Sequence, residues 1–474
     1  MADVKQELLR GLPSISALLA TGQGQEWAKR WPQGLIAECL RLAVENVRRQ
    51  IIEDTGGRCG PAHVTQEYIL EQAGALLEER TAPHIRRAIN ATGIILHTGL
   101  GRSVFPQSVI DSMIDELKGY VTLAIDRQTG TRSERHGRVE YIITELTGAE
   151  SATVVNNNAA ATLLVLAALA AGREVIVSRG QLIEIGGSFR LPEVMAQSGA
   201  RLVEVGATNR THLRDYAAAI TDQTAAILRV HPSNYRIVGF TSQPELAELA
   251  QLARSRGILL IDDLGAGALV ALEKFGLPHE PTIGESIAAG ADVVLASTDK
   301  LIGGPQGGLI AGGRAHLDQI RRHPLARAMR ADKTCLMILE RTLHLFRDPE
   351  RLTAVHPLYR ALAISPDVLE ARAKKLTELI VAAAPCIKAE VRPDVGYLGS
   401  GSLPMEKLPT FVVALVPGGD TKPAALARLL RMDPACIFTR IEDEQVLLDV
   451  RTIMEDDLPL IAEAVGRICK GQGG

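Results

Sequence analysis

Three short stretches carry side chains that ordinary packing does not require. In "ASTDKLIGGPQGGLI" (296–310), Lys300 stands between an apolar run and a group of glycines, with the Ser297 hydroxyl three residues before it. Taken alone, a lysine is usually a solvated charge. This one follows "ADVVLAS" (291–297), which reads as a short buried strand ending in turn formers. "GILLIDDLGAG" (257–267) ends a second apolar run on Asp262 and Asp263. A carboxylate there costs desolvation unless it meets a cation or a proton donor. "TVVNNNAAATLLVL" (153–166) ends a third run on Asn156, Asn157 and Asn158 and opens a helix. Free N–H groups and the dipole at a helix start suit a phosphate, although asparagine there can equally be a simple cap.

The elements that must position these residues alternate. From about residue 88, "SATVV", "REVIVS", "ARLVEV", "TAAILRV", "GILLID" and "ADVVLAS" each form a short apolar run, most of them followed by helix-forming sequence such as "SQPELAELAQLARSRG" (242–257). Such alternation predicts a mostly parallel sheet covered on both faces, with ligands beyond the carboxyl ends of its strands. The Asn run, the Asp pair and Lys300 all fall at such ends. Pyridoxal phosphate needs an anion cradle, a carboxylate to keep its ring nitrogen protonated, and a lysine amine. The three stretches supply these in the order an α/β chain would present them.

At 474 residues the chain is long enough for two or three domains. Net charge is −3, so no global basic field advertises nucleic acid, and 3% aromatic residues argue against a base-stacking platform. The six cysteines show no CxxC and no pairing rhythm, which favours a reducing cytosol and disfavours both a disulfide framework and a zinc site. The start lacks a signal-peptide layout, and the longest apolar stretch, "AAATLLVLAALAA" (159–171), is shorter than the ~20 residues a membrane span needs. A soluble, intracellular protein is expected. Residues 1–85 read as a helical module with Thr65 as an N-cap, broken by "GGRCGP" at 56–61. Counted through residue 87, it holds eleven Lys/Arg and eleven Asp/Glu. Composition alone would have this neutral module pack on a neighbouring subunit. The expected domains are 1–85, a core at 86–335, and 336–474 as a linking helix with a small α+β unit.

Nine motifs in order narrow the reading. "INATGIILHTGLGRS", "TGTRSERHG", "NNNAAA", "SRGQLIEIGGSFRLPEV", "GATNRTH", "HPSNYRIVGF", "DDLGAGAL", "STDKLIGGPQGG" and "HPLARAMRADK" resemble the bacterial selenocysteine synthases, the L-seryl-tRNA(Sec) selenium transferases. These are aminotransferase-like, fold-type I pyridoxal-phosphate enzymes, and the resemblance covers most of the chain. It implies that Lys300 carries the cofactor as a Schiff base and later moves protons. Asp262 would hold the pyridine nitrogen, with Asp263 as runner-up. Asn157, Asn158, the N–H of Ala159 and Ser297 would hold the phosphate. Arg102, Arg135, Arg327 and Arg330 would bind selenophosphate, a small polyanion suited to clustered guanidiniums. Asp299 would orient the lysine or the incoming group. Seryl-tRNA(Sec) would lose water to a dehydroalanyl intermediate that then takes selenium. Residues 1–85 would contact the tRNA, with Arg41, Arg48 and Arg49 facing phosphates. The family's ring of dimers implies a homodecamer. Two other readings stay open: a fold-type I lyase or dehydratase of small amino acids or amino sugars, and a non-catalytic RNA-binding scaffold.

Overall fold

The computed structural model describes residues 2–54, 59–187, 189–416 and 422–471. The chain divides into two compact units, 1–87 and 88–474. The break expected at 56–61 lies partly outside the described residues.

The first unit is helical: Ala2–Arg10, Ile15–Ala20, Gly22–Ala28, Gln33–Glu53 and Gln66–Thr81. The 21-residue helix Gln33–Glu53 buries Ile36, Leu40, Ala43, Val47 and Ile51, spaced at three to four residues as a one-sided helix requires. They pack on Ile69, Ala73 and Leu77 of the last helix and on Trp27. Thr65 caps that last helix by accepting from the Tyr68 N–H. Arg41, Arg48 and Arg49 lie on the exposed side of the long helix.

The second unit is built on a seven-stranded sheet. Its strands are β1 (Ser151–Val155), β2 (Glu174–Ser178), β3 (Arg201–Val205), β4 (Thr224–Val230), β5 (Leu259–Gly265), β6 (Val293–Ser297) and β7 (Gly308–Gly312). The spatial order is β1-β7-β6-β5-β4-β2-β3. All neighbours are parallel except β7, which runs antiparallel to both β1 and β6. Separate buried clusters cover the two faces, so β1, β6 and β7 are buried at every residue and read as unbroken apolar runs. The apolar stretch at 159–171 is the buried helix Asn158–Ala170. A fold-type I, α/β architecture is what the sequence predicts and what the chain adopts.

A four-stranded antiparallel sheet follows, β8 (Lys388–Gly399), β9 (Ser402–Val416), β10 (Arg440–Glu442) and β11 (Gln445–Asp449), ordered β8-β9-β11-β10. The helices Pro366–Ala383 and Leu458–Gly471 cover it over a second core. One expectation fails here. Cys386 and Cys469 form a disulfide, their Cα atoms 6.6 Å apart, while Cys39, Cys335 and Cys436 are free. The pairing follows from packing of the two covering helices, whose ends meet although 83 residues separate the cysteines.

Candidate active site

Lys300 sits in the ten-residue connection between β6 and β7, two antiparallel neighbours joined as a hairpin. The Thr298 N–H bonds Gly307 O at 3.0 Å, Gly304 N–H bonds Thr298 O at 2.8 Å, and Gly303 N–H bonds Lys300 O at 3.0 Å. From another segment, the Ser103 hydroxyl reaches the carbonyls of Asp299 and Lys300 at 3.0 and 3.1 Å. Gly303 adopts φ +69° and a Cβ there would lie 2.1 Å from the His356 ring, so only glycine passes. The loop therefore fixes the backbone of a lysine that is 5% exposed. Among the described residues its amine makes no hydrogen bond or ion pair. Burial pushes the amine below the usual lysine range, the Arg102 guanidinium adds to this, and Asp299, Asp263 and Glu280 oppose it.

The two aspartates part company. Asp262 pairs in register with Arg229 of β4 and takes both oxygens to that guanidinium, at 2.9 and 3.1 Å, with Ser286 donating at 2.7 Å. Successive strand residues face opposite ways, so Asp262, the sequence choice for the pyridine nitrogen, serves an internal ion pair instead. Asp263 faces the Asn run: Asn158 Nδ2 donates at 2.8 Å, Thr162 Oγ1 at 3.0 Å, and the Gly265 N–H at 3.1 Å. Burial pushes its carboxyl up against these donors.

The Asn run also differs in detail from expectation. Asn157 caps the helix, its side chain accepting from Ala160 N–H at 2.8 Å, and Asn158 is engaged by Asp263. What the Asn run leaves open is the backbone of the helix's first turn, where Ala159 is exposed and helix geometry leaves N–H groups without internal partners. Ser297 ends β6, buried, three residues before the lysine.

Arg102, in a left-handed conformation (φ +63°), meets Asp299 at 2.5 Å. Arg135, Arg327 and Arg330 gather separately. Burial holds the Arg135 guanidinium below its usual range and the charges of Arg330 and Arg327 push it the same way. Their segment docks beside that turn, since Val155 bridges Arg330 and the Asn156 N–H bonds Met329 O at 2.8 Å. The structure thus brings Lys300, Arg102, Asp299, Asp263 and the Asn turn to one sheet edge, and places the arginine trio next to the turn.

Sequence reasoning missed Glu280 and His231. His231 follows β4, with its N–H on Asp263 O at 2.8 Å, and its Nδ1, which takes no hydrogen bond, lies 3.7 Å from Glu280 Oε1. Both border a cavity of about 340 Å³, with Gln181, Ser178, Thr211 and Ser233 on its other walls. A lone glutamate between prolines in "LPHEPT" carries no periodicity that could have flagged it.

These residues fit pyridoxal phosphate. A buried amine without a partner, a carboxylate at a neighbouring strand end and an open helix first turn are the three groups the cofactor requires, and Oδ2 of Asp263, which accepts only from Thr162, keeps a further lone pair.

A solved D-glucosaminate-6-phosphate ammonia-lyase shares the fold, with a TM-score of 0.55 and 20% identity over 84% of this chain and 99% of that one. The L-seryl-tRNA(Sec) selenium transferases of Solidesulfovibrio magneticus, Alkaliphilus metalliredigens and Caldanaerobacter subterraneus are 45, 42 and 44% identical, each over 98% of this chain and at least 99% of their own. The family model for L-seryl-tRNA selenium transferase matches residues 88–454, the span that builds the sheet, the lysine hairpin and the arginine trio. With the motifs, the fold and nearly full-length relatives in agreement, the chain belongs to the L-seryl-tRNA selenium transferase family.

Proposed function

We propose that the chain is a pyridoxal-phosphate transferase that converts L-seryl-tRNA(Sec) to L-selenocysteinyl-tRNA(Sec), removing water from the seryl group and adding selenium from selenophosphate at the same carbon. The observation that carries this is the buried, unpartnered Lys300 amine among Asp263, the Asn turn and the Arg102–Asp299 pair. When bound, the cofactor supplies a carbonyl that captures an amine and a ring that withdraws electrons from the attached carbon. Asp263 holds a proton at the ring nitrogen, and the first turn of the helix at Ala159, with Ser297, holds the phosphate. Lys300, its amine biased towards the neutral form, takes the α-proton and returns it. Asp299, locked by Arg102, positions the lysine backbone and side chain. Arg135, Arg327 and Arg330 hold the anionic selenium donor, because three crowded guanidiniums gain most from a polyanion. Residues 1–85 contact the tRNA, ahead of a core at 86–335 and a small unit at 336–474. A cytoplasmic homodecamer is the assembly the resemblance implies. Among the described residues no helix is long and apolar enough to cross a membrane.

The test compares seryl-tRNA(Sec) with free serine, each with selenophosphate. Selenocysteinyl-tRNA from the first alone, abolished in Lys300→Ala, is expected. Turnover of free serine instead would move the assignment to a small-molecule lyase.

A further inference from the structure

Breaking the bond from the seryl β-carbon to its hydroxyl requires a proton on the departing oxygen, because hydroxide is a poor leaving group. The proton that Lys300 takes from the α-carbon is the one it returns there after selenium adds, so the departing oxygen needs a second donor. Three carboxyls neighbour the lysine. Asp299 is engaged by Arg102 at 2.5 Å, and Asp263 already receives three donors. Glu280 differs from both: it is 3% exposed, receives no hydrogen bond among the described residues, and borders the cavity.

Its place is fixed by the loop that carries it. The bridge between Ala268 and Thr282 closes the loop between β5 and the helix Ile283–Ala288. The Thr282 side chain caps that helix, and Glu285 reaches back to the Thr282 N–H at 2.7 Å. The loop delivers Glu280 to within 3.7 Å of the ring of His231, whose own N–H is bonded to Asp263 O, and within reach of the Lys300 charge.

We propose that Glu280 is the acid that protonates the departing β-oxygen, a role resting on the transferase reading above. The step balances: Lys300 takes the α-proton, the Cα–H electron pair becomes the second Cα–Cβ bond, the Cβ–O pair leaves with oxygen, and the Glu280 proton completes water. The carboxylate left behind recovers a proton through the cavity, beside His231.

The electrostatics support this role. Burial pushes the Glu280 carboxyl up to about 7, with Lys300 and His279 opposing. An acid near the working pH is the best compromise between being loaded and being able to give. Burial pushes His231 down to about 4, helped by Arg229 and His279, so it is neutral and cannot compete as the acid. The other charged groups around Lys300 are Arg102, Asp299 and Asp263.

The test uses two aminoacyl-tRNAs with the whole enzyme, seryl-tRNA(Sec) and its β-chloroalanyl analogue, whose chloride leaves without a proton. In Glu280→Gln, elimination from the seryl substrate should fall about 100-fold or more. The chloroalanyl substrate, the cofactor absorbance and deuterium exchange at the seryl α-carbon should stay near wild type. In the unmodified enzyme, elimination from the seryl substrate should decline above about pH 7 while that from the chloroalanyl substrate does not. Equal losses on both substrates, no loss on either, or matching pH profiles in wild type would overturn the role. A wild-type enzyme inert on both tRNAs would overturn the transferase reading itself.

Discussion

Asp262 and Asp263 are adjacent in sequence and belong to different chemistry: one is locked to Arg229, the other receives Asn158 and Thr162 beside the lysine. Substitution should separate them. Asp263→Asn should fold and lose the visible cofactor band or shift it, since an amide cannot hold the ring proton. Asp262→Asn should leave Arg229 with a buried, uncompensated charge and cost about 3–5 kcal/mol of stability. Denaturant melts read beside absorbance spectra decide this. A stable Asp262→Asn protein without the cofactor band would reverse the assignment.

The arginine trio should act on the selenium donor alone. Arg327→Ala with Arg330→Ala should keep the cofactor band and water elimination, and raise the selenophosphate concentration needed for half-maximal transfer at least tenfold. Lysine replacements should restore only part of the affinity, because a point charge lacks the fork that grips two oxygens. A doubly substituted enzyme with unchanged donor dependence would remove these residues from the site.

Removal of residues 1–87 should abolish binding of charged tRNA and leave the cofactor spectrum intact, because those residues form a compact unit with their own core. Gel-shift and absorbance measurements on the shortened protein read both properties. Full-strength tRNA binding by residues 88–474 would contradict the assignment.

His356 gives the pH dependence a defined sign. It is buried under the lysine loop, and burial pushes its imidazole down from 6.5 to about 4, with one nitrogen against Ile302 O. Between those values the unfolded chain binds a proton that the folded chain does not, so its contribution to stability is complete above about 6.5 and lost as pH falls towards 4. The slope is at most about 1.4 kcal/mol per pH unit. His356→Gln should have a lower Tm at pH 7 and a shallower fall between pH 6.5 and 4. Parallel Tm curves for the two proteins would count against this.

Thiol titration of the denatured protein should gain two groups on reduction, those of Cys386 and Cys469. Finding six before reduction would mean that Cys386 and Cys469 are apart in solution.

How much of this was legible depended on what each residue must satisfy locally. The strands announced themselves because burial on both faces demands continuous apolar runs, and Lys300 stood out against such a run. That same continuity hid which aspartate faced the site. A strand covered on both sides shows no polar and apolar alternation, so nothing in "LLIDDLG" marks a face. The Asn turn was readable as a helix start, whereas the handing of Asn158 to Asp263 depends on where β5 lies relative to β1. Glu280 and the Cys386–Cys469 pair were invisible for a related reason. Each is defined by an encounter between segments far apart in the chain, and no local spacing encodes it.

The lysine hairpin sets a rule about length rather than chemistry. Its ten residues are counted out between two hydrogen-bonded strands, so the register at Ser297 and Gly308 is fixed at both ends. Adding or deleting one residue there would slide the amine along its arc or pull β7 out of step with β1 and β6 together. In this stretch a frame-preserving insertion should do more harm than most single exchanges, and a library that varies spacing should recover the native count before it recovers the native letters.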